Sequence, residues 1–197
     1  MTTIETAPPT PPVTETKRVP GQPDMWVFVI FESLIFTAYF AVYLYYRARH
    51  EAAFLAAQSH LELWLGVLAT IALLTSSWSI ARCVQTARAG RYKTAVRDAY
   101  LTAGFGVVFM GLKIADWVHQ IHLGNTFTSS QFFQYYFFLT AIHFVHLLIG
   151  FVVLGVLLYQ LSGAERRSQE IVETCATYWH TVDFLWVLIF ALLYVVR

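Results

Sequence analysis

Residues 178–186 read YWHTVDFLW. They lie near the start of the last long apolar run, residues 175–196, which is about the 20 residues a helix needs to cross a bilayer. Inside it sit a histidine and a carboxylate, His180 and Asp183, three residues apart and so on one helix face. Trp179 and Trp186 flank that face. Ionisable groups in a hydrocarbon-length helix are costly and mark a functional site unless they pair structurally. Two readings stand side by side at this point: a functional His–Asp pair, or a polar clip locking helix to helix.

The rest of the chain supplies the membrane context. Of 197 residues, 57% are hydrophobic, 17% aromatic and 13% charged, against about 25% charged in soluble domains. Net charge is +1, which gives no argument for nucleic acid. Cys83 and Cys175 lack CxxC spacing, so neither a disulfide framework nor a zinc site is expected. Residues 1–24 hold all 6 prolines and no apolar h-region, and are expected to be a disordered tail rather than a signal peptide. Asp24 is the expected N-cap of the first helix.

Five apolar runs follow, at about residues 25–46, 61–84, 98–119, 132–160 and 175–196. The fold class is therefore all-α, an integral membrane bundle of five transmembrane helices in one domain, residues 25–197. Tyr43, Tyr136, Tyr178 and Tyr194 read as interface aromatics at the ends of these runs. With the N-terminus inside, the inner side holds Lys17, Arg18, Arg82, Arg88, Arg91, Lys93, Arg97, Arg166 and Arg167; the outer side holds Arg47, Arg49 and Arg197. That bias places the N-terminus inside and the C-terminus outside. Every loop is short, so chemistry belongs to the helices or to a partner.

Depth follows from about 1.5 Å per residue. Glu32 lies about 10 Å into the first run, and His180 and Asp183 about 8 and 12 Å into the fifth, from the same inner edge. Glu32, His180 and Asp183 thus form one expected layer of buried, proton-related groups. Toward the outer face, Glu62 opens the second run, and Lys113, Asp116 and His119 share a face of the third. Lys113 and Asp116 are expected to form a structural ion pair, with Trp117 placed for a cation–π contact. His143 and His146 lie three apart in the fourth run. They can be read as haem or metal ligands, or as hydrogen-bonding groups between helices or toward lipid, but one turn cannot supply both axial ligands of one haem. Without a metal-spaced set on facing helices no metal is assigned. Glu62, His143, His146, Trp179 and Trp186 are taken as lipid or interhelix contacts. Small residues suited to close packing are Gly66, Ala69, Ala72, Ser76 and Ser79, then Gly104, Gly111, Gly150 and Gly155.

On these residues the chain resembles subunit III of the haem-copper respiratory oxidases, the cytochrome c oxidase subunit 3 family. That family's last helix carries W-H-F-V-D-x-x-W, matched by WHTVDFLW at 179–186; the helix before carries G-F-H-G-x-H and a glycine, matched by AIHFVHLLIG at 141–150. Its buried glutamate segment S-E-x-x-F-F is matched by FESLIF at 31–36, with Phe31 replacing the serine. Leu61-Glu62 and Ala115-Asp116-Trp117 match two further segments, the second with Asp for Glu. Many members have seven helices, so five resembles a short form lacking the first two. MWVF at 25–28, YYR at 45–47, FFQYYF at 132–137 and LLYVVR at 192–197 look closer to a branch associated with nitric-oxide reductase, the NorE type.

The resemblance implies a non-redox accessory subunit, not catalytic alone, in a bacterial inner (plasma) membrane. It implies haem and copper in partner subunits, packing against catalytic subunit I (and subunit II), contact with membrane phospholipid, and support of proton uptake in aerobic electron transport. The alternative is an assembly or activation protein of nitric-oxide reductase. An independent carrier using Glu32, His180 and Asp183 is disfavoured, since there is no inverted repeat or broken helix pair. Under the resemblance, His180 and Asp183 read mainly as a polar clip.

Overall fold

The computed structural model describes residues 21–196. The expected tail lies mostly outside the described residues, as do Lys17, Arg18 and Arg197. The described residues form α1 (Pro23–Arg49), a short α2 (Glu51–Gln58), α3 (Leu63–Arg88), α4 (Tyr92–His122), α5 (Gln131–Ser162) and α6 (Gln169–Phe190), closed by a π turn at Ala191–Val195. Five of these helices are long and apolar enough to cross a membrane, α6 together with its π turn. No strand occurs among the described residues.

The helices outrun the apolar runs. α4 begins at Tyr92 rather than 98, and α6 at Gln169 rather than 175. Their first turns are polar, and nothing in a polar turn forbids a helix; hydropathy marks the lipid-facing length only. The start of α1 also differs from expectation. Gln22 is its N-cap, Pro23 sits in the first turn, and Asp24 is a first-turn acid rather than the cap. There it still complements the positive helix end. α5 and α6 start from Ser130 and Ser168, whose hydroxyls accept from the backbone N–H of Phe133 and Ile171. α3 ends on Gly90 at φ 71°, and the Arg91 N–H returns to the Thr86 carbonyl. That left-handed C-cap needs glycine and turns the chain directly into α4.

α6 is the central helix. It packs against α1, α3 and α5, while α3 lies along α4 and α4 along α5. Half of the apolar stretch of α6 is buried within the bundle, against 17% for α1. The helix that buries both Trp179 and Trp186 together with Asp183 takes the middle, where other helices can meet their polar atoms. The outer faces are apolar: Val27, Ile30, Leu34, Trp64, Ile71, Trp78 and Val152 are all exposed, as a lipid-facing surface requires.

Close helix approach is set by three glycines. A Cβ on Gly150 would stand 3.1 Å from the Trp179 ring, one on Gly106 2.9 Å from Phe151, and one on Gly66 2.9 Å from Tyr194. Gly104, Gly111 and Gly155, expected at such contacts, face open space instead. Gly106 lies two residues from Gly104, about 200° around the helix. The stripe Ala69, Ala72, Ser76 and Ser79 is buried throughout.

Candidate functional site

The polar interior is organised along the α6 face that carries YWHTVDFLW. Trp179 is fully buried, and its Nε1–H donates to Ser76 Oγ at 3.1 Å. Ser76 donates in turn to the Thr102 carbonyl at 2.9 Å. One hydrogen-bonded chain thus ties α6 to α3 and α4. Two turns further on, Trp186 Nε1–H donates to Thr70 Oγ1 at 3.0 Å. Both indoles are satisfied where hydrocarbon offers no partner.

Between the two tryptophans lie the ionisable groups. His180 Nδ1 is 2.7 Å from Ser77 Oγ, and its ring lines a cavity of about 520 Å³ between α1, α3 and α6. Asp183 is 3% exposed, and both carboxylate oxygens lack a hydrogen-bond partner among the described residues. His180 and Asp183 therefore do not pair with one another.

Glu32 is placed elsewhere. Depth counting groups it with His180 and Asp183; its ionic partner is instead His146 on α5, with Oε2 and Nε2 3.2 Å apart. Depth fixes one coordinate only, and the rotation of α1 about its axis decides the partner. His146 Nδ1 is 2.9 Å from the Ile142 carbonyl. A carbonyl only accepts, so Nδ1 carries the proton in that bond. Nε2 is then the ring atom that faces Glu32. Phe36 stands edge-on to the imidazole, and Tyr178 donates to the His146 carbonyl at 3.1 Å. A first-helix carboxylate, a fifth-helix imidazole and a sixth-helix phenol meet here.

The third cluster surrounds Lys113, which is 2% exposed. Its Nζ donates to Asp116 Oδ2 at 2.8 Å, Tyr136 OH at 2.9 Å and Tyr194 OH at 3.0 Å. Both phenols donate their own hydrogen bonds to Asp116 Oδ2 at 2.6 Å. All three ammonium protons are used and the cluster is electrically neutral, the condition under which a buried charge is tolerated. Trp117 makes no cation–π contact with Lys113. Its Nε1–H donates to Thr140 at 3.1 Å, while the cation faces the Tyr136 ring at 4.3 Å. His119, expected on the Lys113–Asp116 face, is exposed, and Gln120 takes the buried position.

Tyr136 and Tyr194, read from sequence as interface aromatics, are buried. The π turn carries Tyr194 to the cage. Gln58 Nε2 holds that turn by donating to the Leu193 and Val196 carbonyls, each at 3.0 Å, and Tyr43 OH donates to the Leu192 carbonyl at 3.2 Å. Nothing in the sequence separates these tyrosines from boundary ones, since both lie near helix ends. His143 is wedged between Phe109 and Trp186, with neither ring nitrogen partnered among the described residues. Glu62 is exposed at the start of α3. Among the described residues no three of His, Cys, Asp and Glu gather within ligating range of one point.

The arrangement is one of polar tethers between helices, with a carboxylate–imidazole pair and an isolated acid toward one end. Known proteins of this kind exist. A model of cytochrome c oxidase subunit III matches residues 17–196. The quinol oxidase subunit 3 of Bacillus subtilis (strain 168) is 29% identical over 171 residues, 86% of this chain and 83% of that protein. The cytochrome c oxidase subunit 3 of Thermostichus vulcanus is 29% identical over 172 residues, 86% of this chain and 84% of its own. With the family pattern running from before α1 to the end of the π turn, this multi-pass membrane protein belongs to the cytochrome c oxidase subunit III family of haem-copper oxidases.

Proposed function

We propose that the chain is a non-redox accessory subunit of a respiratory haem-copper terminal oxidase, steadying its catalytic subunit and supporting proton uptake in aerobic electron transport. The observation that carries this reading is the family match across residues 17–196. The interior agrees with it: Trp179 and Trp186 donate to neighbouring helices, and Lys113 donates to Tyr136 and Tyr194 outside its own helix, which suits a scaffold. Glu32–His146, His180 and Asp183 are the groups we assign to proton handling. Haem and copper reside in the partner subunits I and II in this reading. The N-terminus faces the inside of a bacterial plasma membrane, and phospholipid fills the cavity between α1, α3 and α6. The similar proteins are named for two electron donors, quinol and cytochrome c, which fits a subunit that does not itself contact the donor.

Co-purification tests the reading. A tagged chain expressed with its neighbours is expected to bring down a haem-bearing complex, and the isolated polypeptide to show no Soret band. A Soret band on the isolated chain overturns it.

A second reading rests on the NorE-type segments, here as a short five-helix form. Rings they contribute converge: Tyr135 packs against Tyr43, Tyr46 and Phe54, and Phe132 against Phe54. In this reading the chain assembles or activates a nitric-oxide reductase. Deleting the gene discriminates: loss of oxygen reduction supports the oxidase subunit, and loss of nitric-oxide reduction alone supports the alternative.

A further inference from the structure

Where α3 turns into α4, the loop between α5 and α6 folds over the same spot. The two loops border an open surface pocket of about 400 Å³ lined by Gly90, Arg91, Tyr92, Lys93, Thr94 and Arg167. Three of these are cations and none is an acid. Arg167 fixes the arrangement, because its guanidinium lies 3.8 Å from the centroid of the Tyr92 ring. Arg91 is the N-cap of α4 and Lys93 lies in its first turn, which contains no acidic residue. That is the reverse of the usual preference for negative charge at a helix start.

The other arginines described at this end have partners. Arg88 Nη2 is 3.0 Å from Glu173. Arg82 and Arg97 stand 3.7 and 3.6 Å from the buried Asp98. Arg166 lies over the Tyr159 ring at 4.2 Å. Glu165, in the same loop, does not line the pocket. Among the described residues these three like charges converge without a protein counter-charge, which favours an anion from outside the chain.

Position names its source. α4 is long and apolar enough to cross a membrane and begins at Tyr92, about 9 Å before its apolar run, which puts the pocket at headgroup depth. Tyr92 and Tyr159 mark the same level as interface aromatics. The anions concentrated at that level are lipid phosphates, and a guanidinium beside an ammonium is the donor set that binds them. We propose that Arg91, Lys93 and Arg167 hold the phosphate of an anionic phospholipid of the phosphatidylglycerol class. The site is separate from the cavity between α1, α3 and α6 and does not rest on the proposed function.

The test is lipid retention by the full chain in nanodiscs of mixed phosphatidylglycerol and phosphatidylcholine, read by native mass spectrometry. The wild type is expected to retain phosphatidylglycerol selectively, and that selectivity to fall as salt rises. Each of Arg91→Gln, Lys93→Gln and Arg167→Gln is expected to lower it about fivefold, whereas Arg49→Gln at the opposite end leaves it unchanged. Salt-independent retention in the wild type overturns the proposal without requiring any variant to fold. So does unchanged selectivity in the folded triple variant. Displacement of the lipid by millimolar inorganic phosphate assigns the pocket to a soluble anion and overturns the lipid assignment.

Discussion

Glu32 on α1 and His146 on α5 meet at 3.2 Å, and this is the one ionic contact that ties the first helix into the bundle among the described residues. α1 is the most lipid-exposed helix, so this pair has few apolar contacts to assist it. A double-mutant cycle with Glu32→Gln and His146→Phe is expected to give a coupling of about 1 kcal/mol, the scale of interhelical hydrogen bonds in membranes. Thermal unfolding in detergent measures it. Additive effects would mean the pair makes no contact. In isotope-edited infrared spectra the Glu32 carboxyl band is expected to shift in His146→Phe, because the substitution removes the ring nitrogen 3.2 Å from its Oε2.

The Lys113 cage predicts an asymmetry. Asp116→Leu leaves a fully buried ammonium with its charge uncompensated and should cost about 3–5 kcal/mol. Lys113→Met combined with Asp116→Leu should recover most of that loss, because neither charge remains to be paired. Tyr194→Phe removes one of three acceptors of the ammonium and should cost about 1 kcal/mol. Unfolding midpoints of the four proteins decide it; a double variant as unstable as Asp116→Leu would refute the cage as described.

How much of this was readable in advance follows from what each signal measures. The five spans are marked by runs too apolar and too long for anything else. Lys113–Asp116 could be paired from spacing, because i and i+3 fix geometry within one helix. Contacts between helices could not: depth counting set Glu32 beside His180, and helix rotation set it beside His146. α2 escaped because its eight residues carry no lipid-length signal. The π turn escaped because its identifying bond, from the Val196 N–H to the Ala191 carbonyl, depends on Gln58 and Tyr43 far away in the chain.

Gln58 supplies a test of that last device. It is 5% exposed and gives both amide protons to carbonyls of the π turn. Gln58→Leu keeps much of the volume and removes both bonds, at about 1–2 kcal/mol. The loss should be local: hydrogen exchange at residues 192–196 should accelerate while that of α3 and α4 does not. Uniform acceleration across the bundle would show that the turn has no separate clamp.

The glycines separate two faces that sequence could not. Gly150→Ala presses a methyl against Trp179, a fully buried ring held by its bond to Ser76. Gly66→Ala meets Tyr194, which the Lys113 cage holds in place. Neither neighbour can swing away, so each substitution should cost about 1–3 kcal/mol, the range for overpacking a tight core. Gly106→Ala should cost a similar amount: the half-buried Phe151 ring at 2.9 Å can yield, but the same Trp179 ring stands 3.2 Å from the new methyl. Gly104→Ala, Gly111→Ala and Gly155→Ala meet open space and should be neutral or stabilise by up to about 1 kcal/mol through helix propensity. Unfolding midpoints that rank these six substitutions otherwise, with Gly104→Ala as harmful as Gly150→Ala, would mean that α4 is rotated relative to α6 from the packing described.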